Sequence, residues 1–196
     1  MIKKFKNKLR KLKVRYGKVF TTTFNKSLKQ SDINRWKKDK SLFLSWNERT
    51  QLLANQIIPD SKVFEFGAAR MALKTMLPSG CIYLHSDIVK RNKNTLVIDL
   101  NAELPNISKV DYIVFSGVLE YIFDVKRLLL HLAQFSEHFI FSYALTDAFP
   151  EISNRRYNGW VSDLNTSHFL EIANELGWNY KIIGTWKKQT LFKFSK

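Results

Sequence analysis

A chain of 196 residues and 23.0 kDa has room for one domain core and a short appendage. Its 45% hydrophobic and 14% aromatic content, against 7 Gly and 4 Pro, excludes a disordered, collagenous or low-complexity protein. The net charge of +15 is concentrated: residues 1–40 carry 15 basic and 2 acidic side chains, whereas residues 41–196 carry 17 and 15.

Between Met1 and Phe20 the apolar residues Ile2, Phe5, Leu9, Leu12, Tyr16, Val19 and Phe20 fall, at about 100° per residue, on an arc of roughly 100°. Lys3, Lys4, Lys6, Lys8, Arg10, Lys11, Lys13, Arg15 and Lys18 fill most of the remaining circumference, and no acid precedes Asp32. Residues 1–20 therefore read as a helix for an anionic membrane surface, with lysines near lipid headgroups and the stripe in the acyl boundary. An arm on nucleic-acid phosphates is the second reading. A helix whose stripe packs on its own domain is the third. Thr21 to Asp39 shows no clear period and reads as a basic linker, which gives an N-terminal extension over residues 1–40 and a folded domain over residues 41–196.

From Leu42 a helical stripe runs to Ile57 and stops at Pro59. Lys62 to Gly67 is a short apolar run ending in glycine, and residues 70–77 read as helical before Pro78, Ser79 and Gly80. Strand-like runs follow at 81–86, 95–99 and 111–116, then a long helix from about Leu119 to Ser136 and a strand at 138–144. These runs are almost continuously apolar, as strands covered on both faces must be. After a polar, aromatic loop from Thr146 to Asp163 and a helix at about Thr166 to Leu176, two strands are separated only by Lys187 and Lys188, too little chain for a parallel crossover. The fold predicted is α/β: a doubly wound, Rossmann-like, mostly parallel seven-stranded sheet with a C-terminal antiparallel strand and a basic N-terminal helix.

Ligands in such sheets lie beyond the carboxyl ends of the strands. Glu65, Gly67, Asp87, Asp99 and Ser116 mark the ends of four successive strands, and Asp87 follows Gly67 by 20 residues, the spacing of a ribose-binding carboxylate. In their order these motifs resemble those of the class I S-adenosylmethionine-dependent methyltransferases over roughly Leu42 to Ser195. VFEFGAARMAL is similar to the glycine-rich first motif, with Glu65 as its acid and Gly67 as its first glycine; Ala69 and Met71 stand where the family carries further glycines. Asp87 matches the ribose-binding acid. VIDLNAELP, with Asp99 and Leu100, resembles the adenine-binding segment, and DYIVFSGVLEYIFD resembles the fourth motif, with Ser116 at the strand end and Glu120 and Tyr121 as candidate catalytic residues.

The resemblance implies S-adenosyl-L-methionine as cofactor, no metal, and a small-molecule or glycan-type acceptor. The segment NRRYNGWVSD offers Arg155, Arg156, Tyr157 and Trp160 as acceptor-binding groups, cations beside aromatic faces suited to a sugar, an anionic headgroup or a phosphorylated compound. An RNA methyltransferase with a basic arm and a non-catalytic methyltransferase-like module are the alternative functions. The lone Cys81 excludes an internal disulfide and fits a reducing compartment. No run reaches the roughly 18 apolar residues of a membrane span. The expected location is the cytoplasm, at the inner membrane face. His85, His131, His138 and His168 lie at least seven residues apart and offer no paired metal ligands.

Overall fold

The computed structural model describes residues 2–38 and 42–196. The side chains of residues 2–5 and of Lys8, which hold part of the predicted stripe and its basic flanks, lie outside the described residues, as do Asp39, Lys40 and Ser41 at the predicted domain boundary. Seven strands form one sheet: β1 (Lys62–Phe66), β2 (Ile82–Asp87), β3 (Leu96–Val97), β4 (Tyr112–Phe115), β5 (His138–Tyr143), β6 (Asn179–Trp186) and β7 (Gln189–Ser195). Their order is β3-β2-β1-β4-β5-β7-β6. Strands β1 to β5 are parallel, and β7 runs antiparallel to both β5 and β6, as the two-lysine connection requires.

Because side chains alternate across a strand, each central strand feeds two cores. Phe64, Phe66, Ile113, Phe115, Phe139 and Phe141 pack beneath α4 (Val125–Leu132) and α6 (Thr166–Leu176). Val63, Tyr112, Val114 and Ile140 meet Leu53 and Ala54 of α3 (Asn47–Ala54) on the opposite face. Glu65 shares the parity of Val63, so it points toward α3. Both covering helices of the first face have side-chain caps: Asp124 accepts from the Arg127 N–H, and Asn165 caps α6 reciprocally with His168.

Several predicted elements are shorter or longer than the pattern implied. The helix expected over 119–136 breaks into a short turn at Leu119–Tyr121, extended backbone at Ile122, and α4. The helix expected at 70–77 is only a 3₁₀ turn, Ala72–Thr75, because Met71 enters it in left-handed backbone. Of the strand at 95–99, only Leu96–Val97 pairs. At the N-terminus α1 (Ile2–Ser27) runs about two turns beyond Phe20, and a short α2 (Ile33–Trp36) lies where a linker was expected.

Among the described residues, α1 turns most of its apolar stripe away from the domain, Val19 excepted. It docks through Arg15, Val19, Thr22 and Lys26, whereas Leu9, Leu12, Tyr16, Phe20 and Phe24 stay exposed, Phe20 to 71%. Its partner is α5 (Ile152–Tyr157), a helix inside the segment expected to be loop. The Arg15 guanidinium donates to Asn154 Oδ1 at 2.6 Å, and Arg15 and Lys18 lie over the Tyr157 ring.

Arg155, 0% exposed, donates to Asp163 and to the carbonyls of Ala144 and Ser162, tying α5 to the end of β5. Arg155→Ala leaves those buried carbonyls unpaired, and a loss of about 3 kcal/mol of unfolding free energy is expected in chemical denaturation. A loss under about 1 kcal/mol would mean that the segment is solvated and held by something else.

Candidate functional site

The chain leaves β1 toward β2 and β3 on one side, then returns to start β4 on the other, so a crevice opens between the carboxyl ends of β1 and β4. Six of the seven predicted cofactor-binding residues line this single cleft: Gly67, Ala69, Asp87, Asp99, Leu100 and Ser116. The seventh, Glu65, lies in a smaller adjoining pocket with Arg49 and Thr50, which shares Gly67, Ala69 and Ser116 with the main cleft.

The loop after β1 keeps left-handed backbone at alternate positions, with φ of 68° at Gly67, 47° at Ala69 and 56° at Met71, although only the first is glycine. Each non-glycine residue held there costs about 1–2 kcal/mol. Glycine itself is required at 67, where a Cβ would stand 2.5 Å from Val118 Cγ2, and at 117, where it would stand 2.3 Å from Arg49 Nη1. The first approach brings the β1 and β4 loops together at the floor of the cleft, and the second seats the β4 loop against α3.

The strand-end acids are partly engaged. Asp87 Oδ2 accepts from the Ala69 N–H at 2.8 Å, while Oδ1 accepts from the Val89 N–H and pairs with Arg91. One of its roughly four acceptor positions stays open to a ligand. Asp99 Oδ1 accepts from the Asn101 N–H and from Ser31 Oγ at 2.7 Å, and its Oδ2 has no bond among the described residues. Glu65 is buried and accepts from the Tyr83 hydroxyl at 2.5 Å; burial pushes its carboxyl up to about 8, against the opposing effect of that hydrogen bond.

The two candidate catalytic residues separate. Tyr121 lines the cleft, and its phenol, pushed up by burial, stays protonated and donates weakly to the Asn158 carbonyl. Glu120 is fully buried beneath the floor, bonded through Oε1 to the Ala144 N–H and to Gln189 Nε2, and burial raises its pKa. It does not line the cleft, which corrects its candidacy as a catalytic residue.

The four predicted acceptor-binding residues are also placed elsewhere. Arg155 and Arg156 spend their donors on Asp163 and on main-chain carbonyls. Tyr157 receives α1, and Trp160 packs on Phe149 and under Arg155. From that segment it is Gly159 and Val161 that reach the cleft.

The roof comes from a part of the chain expected to lie outside the site. Thr22, Asn25, Gln30, Ser31, Asp32 and Trp36 line the cleft, and Trp46 joins them. Trp36 meets Tyr121 edge to face with centroids 4.9 Å apart. Asn101 ties roof to floor, donating to Ser31 Oγ and the Tyr121 carbonyl and accepting from the Phe123 N–H. The available signal was Asp32 three residues before Arg35, an N-cap spacing that opens a four-residue helix too short to show a period.

No protein-family model and no curated protein matches the sequence. Solved structures do. A provisionally assigned O-methyltransferase from Nostoc punctiforme PCC 73102 superposes with a TM-score of 0.65 at 12% identity, covering 83% of this chain and 60% of that one, so this chain spans under two thirds of that protein's length. The plantazolicin methyltransferase BpumL, solved with S-adenosylhomocysteine and a substrate analogue, gives 0.63 at 11% identity, covering 92% and 98% of the two chains. The N-methyltransferase NodS from Bradyrhizobium japonicum WM9, solved with S-adenosylhomocysteine, gives 0.54 at 18%, covering 76% and 85%. The chain thus has the class I S-adenosylmethionine-dependent methyltransferase fold.

Met71→Gly relieves left-handed strain but raises the entropy of the unfolded chain, and a net gain of about 0.5–1 kcal/mol in unfolding free energy is expected. An unchanged or lower value would show that the Met71 side chain compensates by packing.

Proposed function

We propose that the chain is an S-adenosylmethionine-dependent methyltransferase acting on a small-molecule or sugar acceptor, at the inner, anionic face of a membrane. The carrying observation is the convergence of Gly67, Asp87, Asp99 and Ser116, from the ends of β1, β2, β3 and β4, on one cleft. The cleft suits the cofactor: the open acceptor position on Asp87 fits a ribose hydroxyl, Asp99 Oδ2 with the Leu100 N–H fits the adenine edge, and Glu65 fits the ammonium of the methionine end. The backbone cradle of the first motif survives the loss of two glycines, which supports a binding-competent site over a vestigial one.

Bound there, S-adenosylmethionine supplies an electrophilic methyl group on a leaving thioether that is neutral and needs no protonation. What the protein contributes is orientation and exclusion of water. Trp36, Trp46, Val118 and Val161 give the acceptor side of the cleft an apolar, aromatic wall against which the face of a sugar or ring can lie. Tyr121, protonated at neutral pH, is not a base; by turning its hydroxyl from the weak bond to the Asn158 carbonyl it can donate to the acceptor instead. The membrane part of the reading rests on the exposed stripe of α1 and its cations; no helix among the described residues is long and apolar enough to cross a membrane.

Calorimetric titration with S-adenosylhomocysteine is expected to show binding, and Asp87→Ala is expected to weaken it by about 2 kcal/mol, roughly thirtyfold. Heat from neither S-adenosylmethionine nor its product would leave a non-catalytic module as the better reading.

Charge on Glu65 gives a second test. Its carboxyl holds a proton up to about pH 8 in the unliganded protein and must lose it to pair with an ammonium. Affinity is therefore expected to strengthen from pH 6 to pH 8, by at most about tenfold per unit, and then level. Glu65→Gln should flatten the profile; a parent protein with a flat profile would place the ammonium elsewhere.

A further inference from the structure

The helix offered to the membrane and the roof of the cleft are one continuous stretch of chain. α1 carries its exposed stripe as far as Phe24, while Thr22 and Asn25, on the neighbouring face of the same turns, line the cleft. Beyond the end of α1 the backbone turns through left-handed Lys29, and two residues later Ser31 bonds Asp99. Arg15, Val19, Thr22 and Lys26, spaced by four, three and four, form the side that meets the domain; the stripe lies about 100° round the axis. Both faces exist only while the segment is helical.

That helix is costly to form unaided. Its first turn has no acid to complement the macrodipole, Lys6 and Arg10 and again Lys11 and Arg15 are like charges one turn apart, and Thr21, Thr22 and Thr23 are three β-branched residues in succession. Its ties to the domain include the ion pair of Lys26 with Asp163 and cations over Tyr157, contacts at a partly exposed surface that hold only weakly. Two ligands relieve the same cost. An anionic bilayer neutralises the outward Lys6, Arg10 and Lys13 and takes up the stripe, and a ligand in the cleft gives the roof a surface to close on.

We propose that residues 22–36 are a lid set by the membrane: an anionic bilayer that orders α1 closes the roof over the cofactor cleft, so bilayer and cofactor bind with positive coupling. The proposal rests on the methyltransferase reading above. Because the linkage is reciprocal, each ligand tightens the other by the same factor, at least about fivefold for a coupling of ordinary size.

The test titrates S-adenosylhomocysteine into the full-length protein in buffer, with phosphatidylcholine vesicles, and with vesicles of equal phosphatidylcholine and phosphatidylglycerol. The Kd is expected to fall at least fivefold only with the anionic vesicles, and saturating S-adenosylhomocysteine should tighten sedimentation with those vesicles by the same factor. The double variant Tyr16→Ser, Phe20→Ser, which touches neither cleft nor domain, should keep the affinity measured in buffer and lose the vesicle effect. Sedimentation on anionic vesicles with an unchanged Kd would overturn the lid while leaving the membrane reading and the cofactor reading intact. Failure to sediment would overturn lid and membrane reading together, and absence of binding in all three conditions would overturn lid and methyltransferase reading together. A fall in Kd produced by a short RNA but not by vesicles would reassign the surface to nucleic acid and overturn the bilayer as the closing partner.

Discussion

One carboxylate, Asp163, sits among Arg155, Arg156 and Lys26, and the course of everything above the cleft depends on it. Burial alone would raise its pKa, but the hydrogen bonds from Arg156, Lys26 and Arg155 outweigh burial and hold it well below the usual carboxylate range. The sign follows: its stabilising contribution is present throughout neutral pH and is lost only in strong acid, as the group takes a proton. Arg155 passes the constraint to the end of β5 through Ala144, Arg156 passes it along the insertion to the Trp160 carbonyl, and Lys26 passes it to the last turn of α1. The first two contacts are buried and geometrically rigid, whereas the third is partly solvated. The insertion is therefore fixed firmly and α1 is not, an asymmetry that makes the roof the movable member of the site.

Beneath the cleft a second polar array works differently. Arg49 donates to Ser116 Oγ, to the Ser116 carbonyl and to Gln189 Oε1, and Gln189 donates in turn to Glu120. The array joins α3, the end of β4, β7 and the turn after β4, elements drawn from both faces of the sheet. Burial pushes the Glu120 carboxyl toward its neutral form, which is far less costly to desolvate than the charged one, against the pull of Arg49 and the donors from Gln189 and Ala144. What the sequence offered as a candidate catalytic residue is thus a support under the floor. Gly117 lacks a side chain because the Arg49 guanidinium occupies the space one would need.

Sheet and strand ends were legible because their physics is local and periodic. Continuous apolar runs such as residues 112–115 mark doubly covered strands, and the polar residue closing each run has to face the crevice at the switch point. The short connection at Lys187 and Lys188 was enough to set the antiparallel pair. The roof was not legible, for a physical reason: Ser31, Asp32 and Trp36 sit in a stretch with one four-residue helix, and their positions follow from bonds to Asp99 and contact with Tyr121, far away in sequence. The arginines of the insertion misled for the opposite reason. Cations next to aromatic rings are read as ligand-binding by composition, yet Asp163, seven and eight residues further on, consumes both. A neighbouring acid at that spacing was the signal that should have lowered their standing as acceptor contacts.

The field inside the cleft runs against the charge of the molecule. Asp32, Asp87 and Asp99 line it, with Arg91 as the only cation among the described lining residues, whereas the chain as a whole carries +15. Opposite unit charges 4 Å apart at an effective dielectric near 20 interact by about 4 kcal/mol, and like charges repel by as much. An interior of this sign suits a sulfonium cation and penalises a phosphate brought to the methyl group. The expectation of an anionic headgroup or phosphorylated acceptor loses its support once Arg155 and Arg156 are turned away, and an RNA acceptor would have to bring its backbone past the same carboxylates. A neutral acceptor lying on Trp36 and Trp46 meets no such penalty. Under the proposed function the cations of α1 serve the anionic surface outside and the carboxylates serve the cleft, which would keep attachment and chemistry of one strongly basic chain in regions of opposite potential.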